Sequence, residues 1–304
     1  MSEFMVVGEA LVDIVEDGSG ARTHHPGGSP ANVALGLARL GGSVELLTWL
    51  ARDQAGAGVV DRLEASGVAI LPASLGASRT STAVACLDAD GGATYEFDLE
   101  WHLATTAPAR NMSVLHTGSI AAVADTVSAD TLVQMIHDVR RFATITYDPN
   151  LRPSIMGDVD AVRVRVETLV AAADVVKVSE EDLGWLHPEA EPLDVASAWA
   201  NDLGCALVVV THGGRGSTAV RPLGRDLEVP ARPVAVVDTV GAGDAFMSGL
   251  LAALRGHGLT GSDQRDALRR ADATALEAVL DFASRVAAVT VSRAGANPPH
   301  LAEL

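Results

Sequence analysis

Short apolar runs of four to six residues at 114–117, 144–147, 175–178 and 205–210 are separated by longer stretches with helical periodicity, such as 129–141 and 160–172. Runs of that length without polar alternation suit strands buried on both faces. Strands that alternate with helices are joined by crossovers and pair in parallel. The pattern therefore predicts an α/β fold with a doubly wound, mostly parallel sheet flanked by helices. Phe4–Val7 and 44–49 read as two further strands. With 304 residues and 48% hydrophobic content, the chain can bury this architecture as one domain spanning 1–304. Between 80 and 97 the period changes. Thr82, Val84 and Cys86 alternate with Ala83, Ala85 and Leu87, Asp90-Gly91-Gly92 turns the chain, and 93–97 returns. A β-hairpin there interrupts the α/β order.

Open parallel sheets gather ligands beyond the carboxyl ends of their strands, and charge narrows which ligands these are. Thirty-nine acidic against 22 basic residues give a net charge of −17, which repels nucleic acid and anionic membrane. A phosphate-handling site in such a chain must concentrate its few cations locally. Cys86 and Cys205 stand far apart in no C-x-x-C pattern, so neither a disulfide framework nor a zinc site is indicated. None of the nine histidines has metal-ligand spacing. No basic leader precedes the first apolar residues, and no run reaches the roughly 18 residues of a membrane span. A soluble, cytoplasmic protein is expected.

The stretch 237–254, VDTVGAGDAFMSGLLAAL, places chemistry at a loop-to-helix junction. Met247, Leu250, Leu251 and Leu254 repeat on one helical face, so Gly241, Ala242 and Gly243 fall at the helix N-terminus. Free N–H groups and the positive end of the helix dipole converge there, a setting for phosphate or another oxyanion. Asp244 in the first turn is either a charge that stabilises the dipole or a base beside the anion cradle. Near the N-terminus, Asp13 ends Gly8-Glu9-Ala10-Leu11-Val12-Asp13, as a turn residue or as an acceptor for two hydroxyls. Pro26-Gly27-Gly28-Ser29-Pro30 then enters a helix in whose first turn Asn32 lies; Gly27 and Gly28 are expected to form a tight turn.

D-T-V-G-A-G-D-A-F at 238–246 resembles one signature of the ribokinase-like (PfkB-type) carbohydrate kinases, and P-G-G-S-P-A-N-V-A-L-G-L-A-R-L-G-G at 26–42 resembles the other, in its fructokinase form. The resemblance covers essentially the whole chain. It implies a ribokinase-like fold whose small β-sheet lid, formed by about 11–25 and 80–102, closes over the sugar. Trp101 would pack inside that lid or cover the sugar face. The resemblance further makes Asp244 the catalytic base and 241–243 the anion hole. Asp13, Gly27, Gly28 and Asn32 would bind the sugar.

Three polar clusters follow strands, and the resemblance gives each a role. Asp148-Pro149-Asn150-Leu151-Arg152 is a turn by composition; in the family, Asn150 and Arg152 would lie near sugar and transferred phosphate, where a guanidinium offsets phosphoryl charge. Lys177-Val178-Ser179-Glu180-Glu181-Asp182 reads as an N-capped helix with acids in its first turn. It departs from the family's N-x-x-E, leaving Asp182, then Glu180, as candidates to position Mg2+, with Lys177 toward the nucleotide. Thr211-His212-Gly213-Gly214-Arg215-Gly216 resembles the T-x-G-x-x-G loop, so Thr211, Gly213 and Gly216 would contact ATP. In the helix 273–291, small residues such as Ala283 and Ala287 either pack the core or leave room for adenine. Asp238 and the tail 293–299 resemble a loop that encloses a monovalent cation, K+ in many members.

The expectation is an ATP-dependent sugar kinase, foremost a fructokinase acting on the 6-hydroxyl, using ATP and Mg2+ and forming a homodimer through the lid. 2-Keto-3-deoxygluconate kinase, ribokinase and nucleoside kinase are the alternatives within the family, and a non-catalytic sugar sensor is the alternative outside enzymes. A dinucleotide-dependent oxidoreductase is disfavoured, because no G-x-G-x-x-G follows the first strand.

Overall fold

The computed structural model describes residues 2–16, 21–87, 93–106, 108, 110–122, 126–222 and 224–304. In chain order the strands are β1 (Phe4–Val7), β2 (Leu11–Glu16), β3 (Arg22–Gly27), β4 (Val44–Leu47), β5 (Val68–Ile70), β6 (Thr82–Leu87), β7 (Ala93–Asp98), β8 (Val114–Gly118), β9 (Thr144–Asp148), β10 (Val175–Ser179), β11 (Leu207–Thr211), β12 (Ser217–Val220) and β13 (Leu227–Val229). They form a nine-stranded sheet, β13-β12-β11-β10-β9-β8-β1-β4-β5, and a four-stranded sheet, β3-β2-β6-β7. From β11 to β5 every pairing in the large sheet is parallel, and β12 and β13 extend it antiparallel.

The large sheet is covered on both faces, and strand alternation divides its core. Phe4, Val6, Val175, Leu207 and Val209 pack on one side, while Met5, Val7, Val176, Val178, Val208 and Val210 pack on the other. Both sides being dry is the reason the sequence shows continuous apolar runs. From β1 the chain moves outward to β4 and β5, returns to β8, and then moves outward in the opposite direction. The order thus reverses between β1 and β8, where diverging loops open a crevice at the strands' carboxyl ends.

The smaller sheet grows from that crevice. β2 follows β1 after only Gly8-Glu9-Ala10 and pairs with β3 antiparallel and β6 parallel. β6 and β7 form the expected hairpin; its turn, Asp90-Gly91-Gly92, lies outside the described residues, as does the 17–20 part of the expected lid segment. Gly27 is the last residue of β3, paired with Leu11, rather than part of a tight turn. The turn is made by Gly28 alone, at φ +101°, where a Cβ would lie 2.6 Å from the Glu9 carbonyl oxygen.

Three helices close one face around the site: Ser29–Arg39, Ala242–Gly256 and Ala273–Val291. Gly249 brings the last two into backbone proximity, since a Cβ there would meet Ala283 Cα at 2.8 Å. Ala283 is therefore spent on helix packing. The helix Gln54–Glu64 begins earlier than its apolar periodicity because Asp53 caps it, accepting from Gly56 N at 2.7 Å. Trp101 packs against the main-sheet core rather than inside the small sheet. Among the described residues, no helix is long and apolar enough to cross a membrane.

Candidate active site

The Ala242–Gly256 helix starts at Gly241, held at φ +75° with no side chain capping the turn. Gly241 is there because it alone adopts that conformation without strain, and because Ala296 lies 2.6 Å from where its Cβ would stand. Ala242 N–H is spent on Thr239 O at 3.1 Å. Among the described residues, the N–H groups of Gly243 and Asp244 make no hydrogen bond. The donors at this helix end are thus those two, at the positive pole of the dipole.

Asp244 is 7% exposed, and its carboxyl is fixed from the other signature. Ser29 Oγ donates to Oδ1 at 2.7 Å and Asn32 Nδ2 to Oδ2 at 2.9 Å, with Asn150 Nδ2 at 3.5 Å. Burial pushes the Asp244 carboxyl above the ordinary carboxylate range, while the bonds from Ser29 and Asn32 and the Lys177 ammonium act against the rise. Asp13 on β2 faces the same space. Its Oδ2 would be 2.0 Å from a Cβ on Gly27, so the absence of a side chain at Gly27 makes room for the carboxylate. Burial, then the charge of Asp244, raises Asp13 to about 6, against the pull of Arg152 and His25.

The ends of β9 and β10 supply the charged floor. Asp148 Oδ2 lies 2.7 Å from Lys177 Nζ, with the side chains 1% and 4% exposed, which makes this a dry ion pair. Burial opposes the Lys177 charge, but Asp148, Asp244 and Asp182 outweigh it and hold its pKa high. Lys177 Nζ would be 3.1 Å from a Cβ on Gly243, so it sits beneath the anion cradle rather than out along the nucleotide loop. Burial and the Asp148 charge raise Asp182, whose Oδ1 accepts from Leu151 N at 3.1 Å. Asp148 Oδ1 makes no hydrogen bond among the described residues. Asn150 adopts φ +38°, and Arg152 Nη1 clasps its carbonyl and side-chain oxygens at 3.1 and 2.9 Å.

Not every expected residue joins this cluster. Glu180 is tied to Arg215 and, at 3.0 Å, to His212 Nδ1, on the loop after β11. Thr211 Oγ1 donates to Val178 O at 3.4 Å, and Gly213 lies exposed in open space. Gly216 has a structural reason to be glycine: at φ +116°, a Cβ would be 2.1 Å from Val229 O. Asp238 accepts from Val240 N at 3.0 Å and Gly295 N at 2.8 Å, bracing the tail against the turn. Val237 N donates to Val291 O at 2.8 Å, which sets the exposed Val236, Val237 and Val240 alongside the last turn of the helix carrying partly buried Ala287. Sequence reasoning missed Ser29 and Asp148, although each stands inside a motif it had singled out.

Residues 1–302 match the family described as pfkB family carbohydrate kinase. The chain is 35% identical over 261 residues to a fructokinase of Klebsiella pneumoniae, covering 84% of this chain and 85% of that one. It is 30% identical over 262 residues to the aminoimidazole riboside kinase of Salmonella typhimurium, covering 84% and 81%. A double-mutant fructokinase of Vibrio cholerae O395, solved with fructose, ADP and potassium, superposes with a TM-score of 0.77 at 27% identity, covering 97% and 94%.

Proposed function

The chain belongs to the pfkB family of carbohydrate kinases and is an ATP-dependent sugar kinase, and from that premise we propose that it is a fructokinase transferring the γ-phosphoryl of ATP to the fructose 6-hydroxyl with Asp244 as base. The observation that carries this is the Asp244 carboxyl, gripped by Ser29 and Asn32 at an uncapped helix N-terminus. Asp13, Gly28, Asn32 and Asn150 hold the sugar. Asp244 takes the hydroxyl proton as the oxygen bonds to phosphorus and the bridging oxygen departs with ADP. A carboxyl raised by burial is better matched to that proton than an ordinary one. Gly243 and Asp244 N–H groups receive the charge that builds on the phosphoryl oxygens, with Gly241 and Ala242 shaping the turn. Arg152 and Lys177 offset the rest. Closure of the smaller sheet would exclude water as a rival acceptor.

Among the described residues no three ligating side chains converge, but Asp148 Oδ1 is buried without a partner and the Asp148 charge acts on Asp182, which suits a hard cation held by one or two carboxylates together with substrate phosphates. Asp182 would hold Mg2+, with Glu180 as the second candidate, and the ion would neutralise phosphate charge there. Asp238 and the tail would hold a monovalent cation. Val236, Val237, Val240 and Ala287 offer an apolar wall for adenine, and Thr211 and Gly213 polar contacts to the nucleotide. A homodimer through the smaller sheet belongs to the same proposal, since β3 and β7 are open edges of that sheet. A second reading, phosphorylation of a riboside, is favoured by the likeness to an aminoimidazole riboside kinase. ADP release measured with fructose, ribose, 2-keto-3-deoxygluconate and aminoimidazole riboside separates these. Preference for fructose is expected, and preference for the riboside would overturn the substrate assignment.

A further inference from the structure

Two arginines on neighbouring helices reach the chain's tail. Arg39, at the end of the Ser29–Arg39 helix, places Nη1 2.6 Å from both Asn297 Oδ1 and Pro298 O, and its Nε donates to Ser66 Oγ at 3.2 Å. Arg62, in the last turn of Gln54–Glu64, donates to Ala296 O. Neither makes an ion pair among the described residues. Burial, and then the charge of Arg62, lowers the Arg39 pKa against the pull of Glu303, and burial lowers that of Arg62. A chain with 39 acidic and 22 basic residues therefore sets two guanidiniums side by side, partly desolvated, and directs them at uncharged oxygens, three of them on the 296–298 tail. Burial costs each guanidinium some solvation, which its hydrogen bonds to the tail offset, and those bonds hold the segment in one place.

That segment touches the anion cradle. Ala296 Cβ is 2.6 Å and its Cα 3.0 Å from where a Cβ on Gly241 would stand, and Gly295 N donates to Asp238 Oδ2 at 2.8 Å. The 294–298 tail is thus pinned between the arginines on one side and the 238–241 turn on the other. The turn in turn sets where the N–H groups of Gly243 and Asp244 point. We infer that Arg39 and Arg62 are positioning residues for phosphoryl transfer: they clamp the tail against Gly241 and so fix the anion cradle. The inference rests on the kinase mechanism proposed above, and none of the sugar-holding residues takes part in the clamp.

The test uses Arg39→Met and Arg62→Met, which keep the aliphatic stems, with Arg62→Lys as the conservative change. Steady-state kinetics are read on the sugar the substrate panel selects, well below each variant's melting temperature and normalised to folded protein. Loss of kcat by about tenfold to a hundredfold is expected, with the sugar KM within about twofold and partial recovery in Arg62→Lys. Unchanged kcat beside a lowered Tm would reduce the clamp to a structural tie and overturn the inference. So would a raised sugar KM at unchanged kcat. If Arg62→Met does not fold, Arg39→Met and Arg62→Lys carry the same readout. Failure of the mechanism itself is seen separately, as turnover that survives Asp244→Asn while the arginine variants still lose kcat.

Discussion

Asp13→Asn should make the protein more stable and less able to hold its sugar. In the folded chain the Asp13 carboxyl is raised from 3.8 to about 6, chiefly by burial and then by Asp244. One pKa unit corresponds to about 1.4 kcal/mol, so the charged form costs at most about 3 kcal/mol of stability. The side chain keeps some water contact, and about 1–3 kcal/mol is the expected range. Because the folded pKa lies above the unfolded one, the folded chain binds the proton more tightly. The penalty is absent below about pH 3.8, grows as pH rises, and is complete above about pH 6. Asparagine has nearly the same shape and never carries the charge. Its Tm advantage should follow that curve, reaching several degrees at pH 8 and vanishing by pH 4. Thermal unfolding of both proteins across pH 4–8 measures it, and the KM for fructose measures what is lost. A Tm that is unchanged or lower at pH 8, or a gain of equal size at pH 4, would refute the burial argument.

Three further substitutions address the segments that follow β10 and β11. Gly216→Ala forces a side chain into φ +116° and onto Val229 O, and should lower stability by about 2–4 kcal/mol in denaturant titration. An alanine tolerated at under about 0.5 kcal/mol would mean that the β12–β13 crossing is looser than described. Asp182→Asn should raise the Mg2+ concentration for half-maximal rate by about tenfold or more, in line with loss of a charged oxygen ligand. Glu180→Gln should move it far less, because Glu180 is already engaged by Arg215 and His212. Equal effects in the two variants would remove the distinction.

The large sheet was legible because its parallel strands are dry on both faces and announce themselves as apolar runs between helices. The hairpin was legible for the opposite reason, its period of two. β5, β12 and β13 escaped, since strands of three or four residues near the sheet's two edges carry too little apolar pattern to stand out from the loops beside them. Gly27 was read as a turn because two glycines in a row suggest one. The structure uses the first for lateral room beside Asp13 and only the second for its φ. Trp101 was expected inside the lid or over the sugar face because it follows the hairpin in sequence, whereas packing assigns it to the main core. Asp244, Asn32 and Asp13 were legible as motif residues, but what binds them together was not. Ser29 sits 215 positions from the carboxylate it holds, and no local periodicity encodes that bond. Asp148 was passed over as the opening of a turn. Its position at the end of a dry strand, one strand from the single lysine of 175–178, was the available hint.

Phosphoryl transfer depends on Asp244 as the base, and the most direct measurement is ADP release from MgATP with fructose by wild type and Asp244→Asn, alongside fructose binding and Tm. The prediction is a fall in kcat of about 10²–10⁴-fold, with the fold intact and fructose still bound. Turnover within a few fold of wild type in a folded, fructose-binding Asp244→Asn would contradict it.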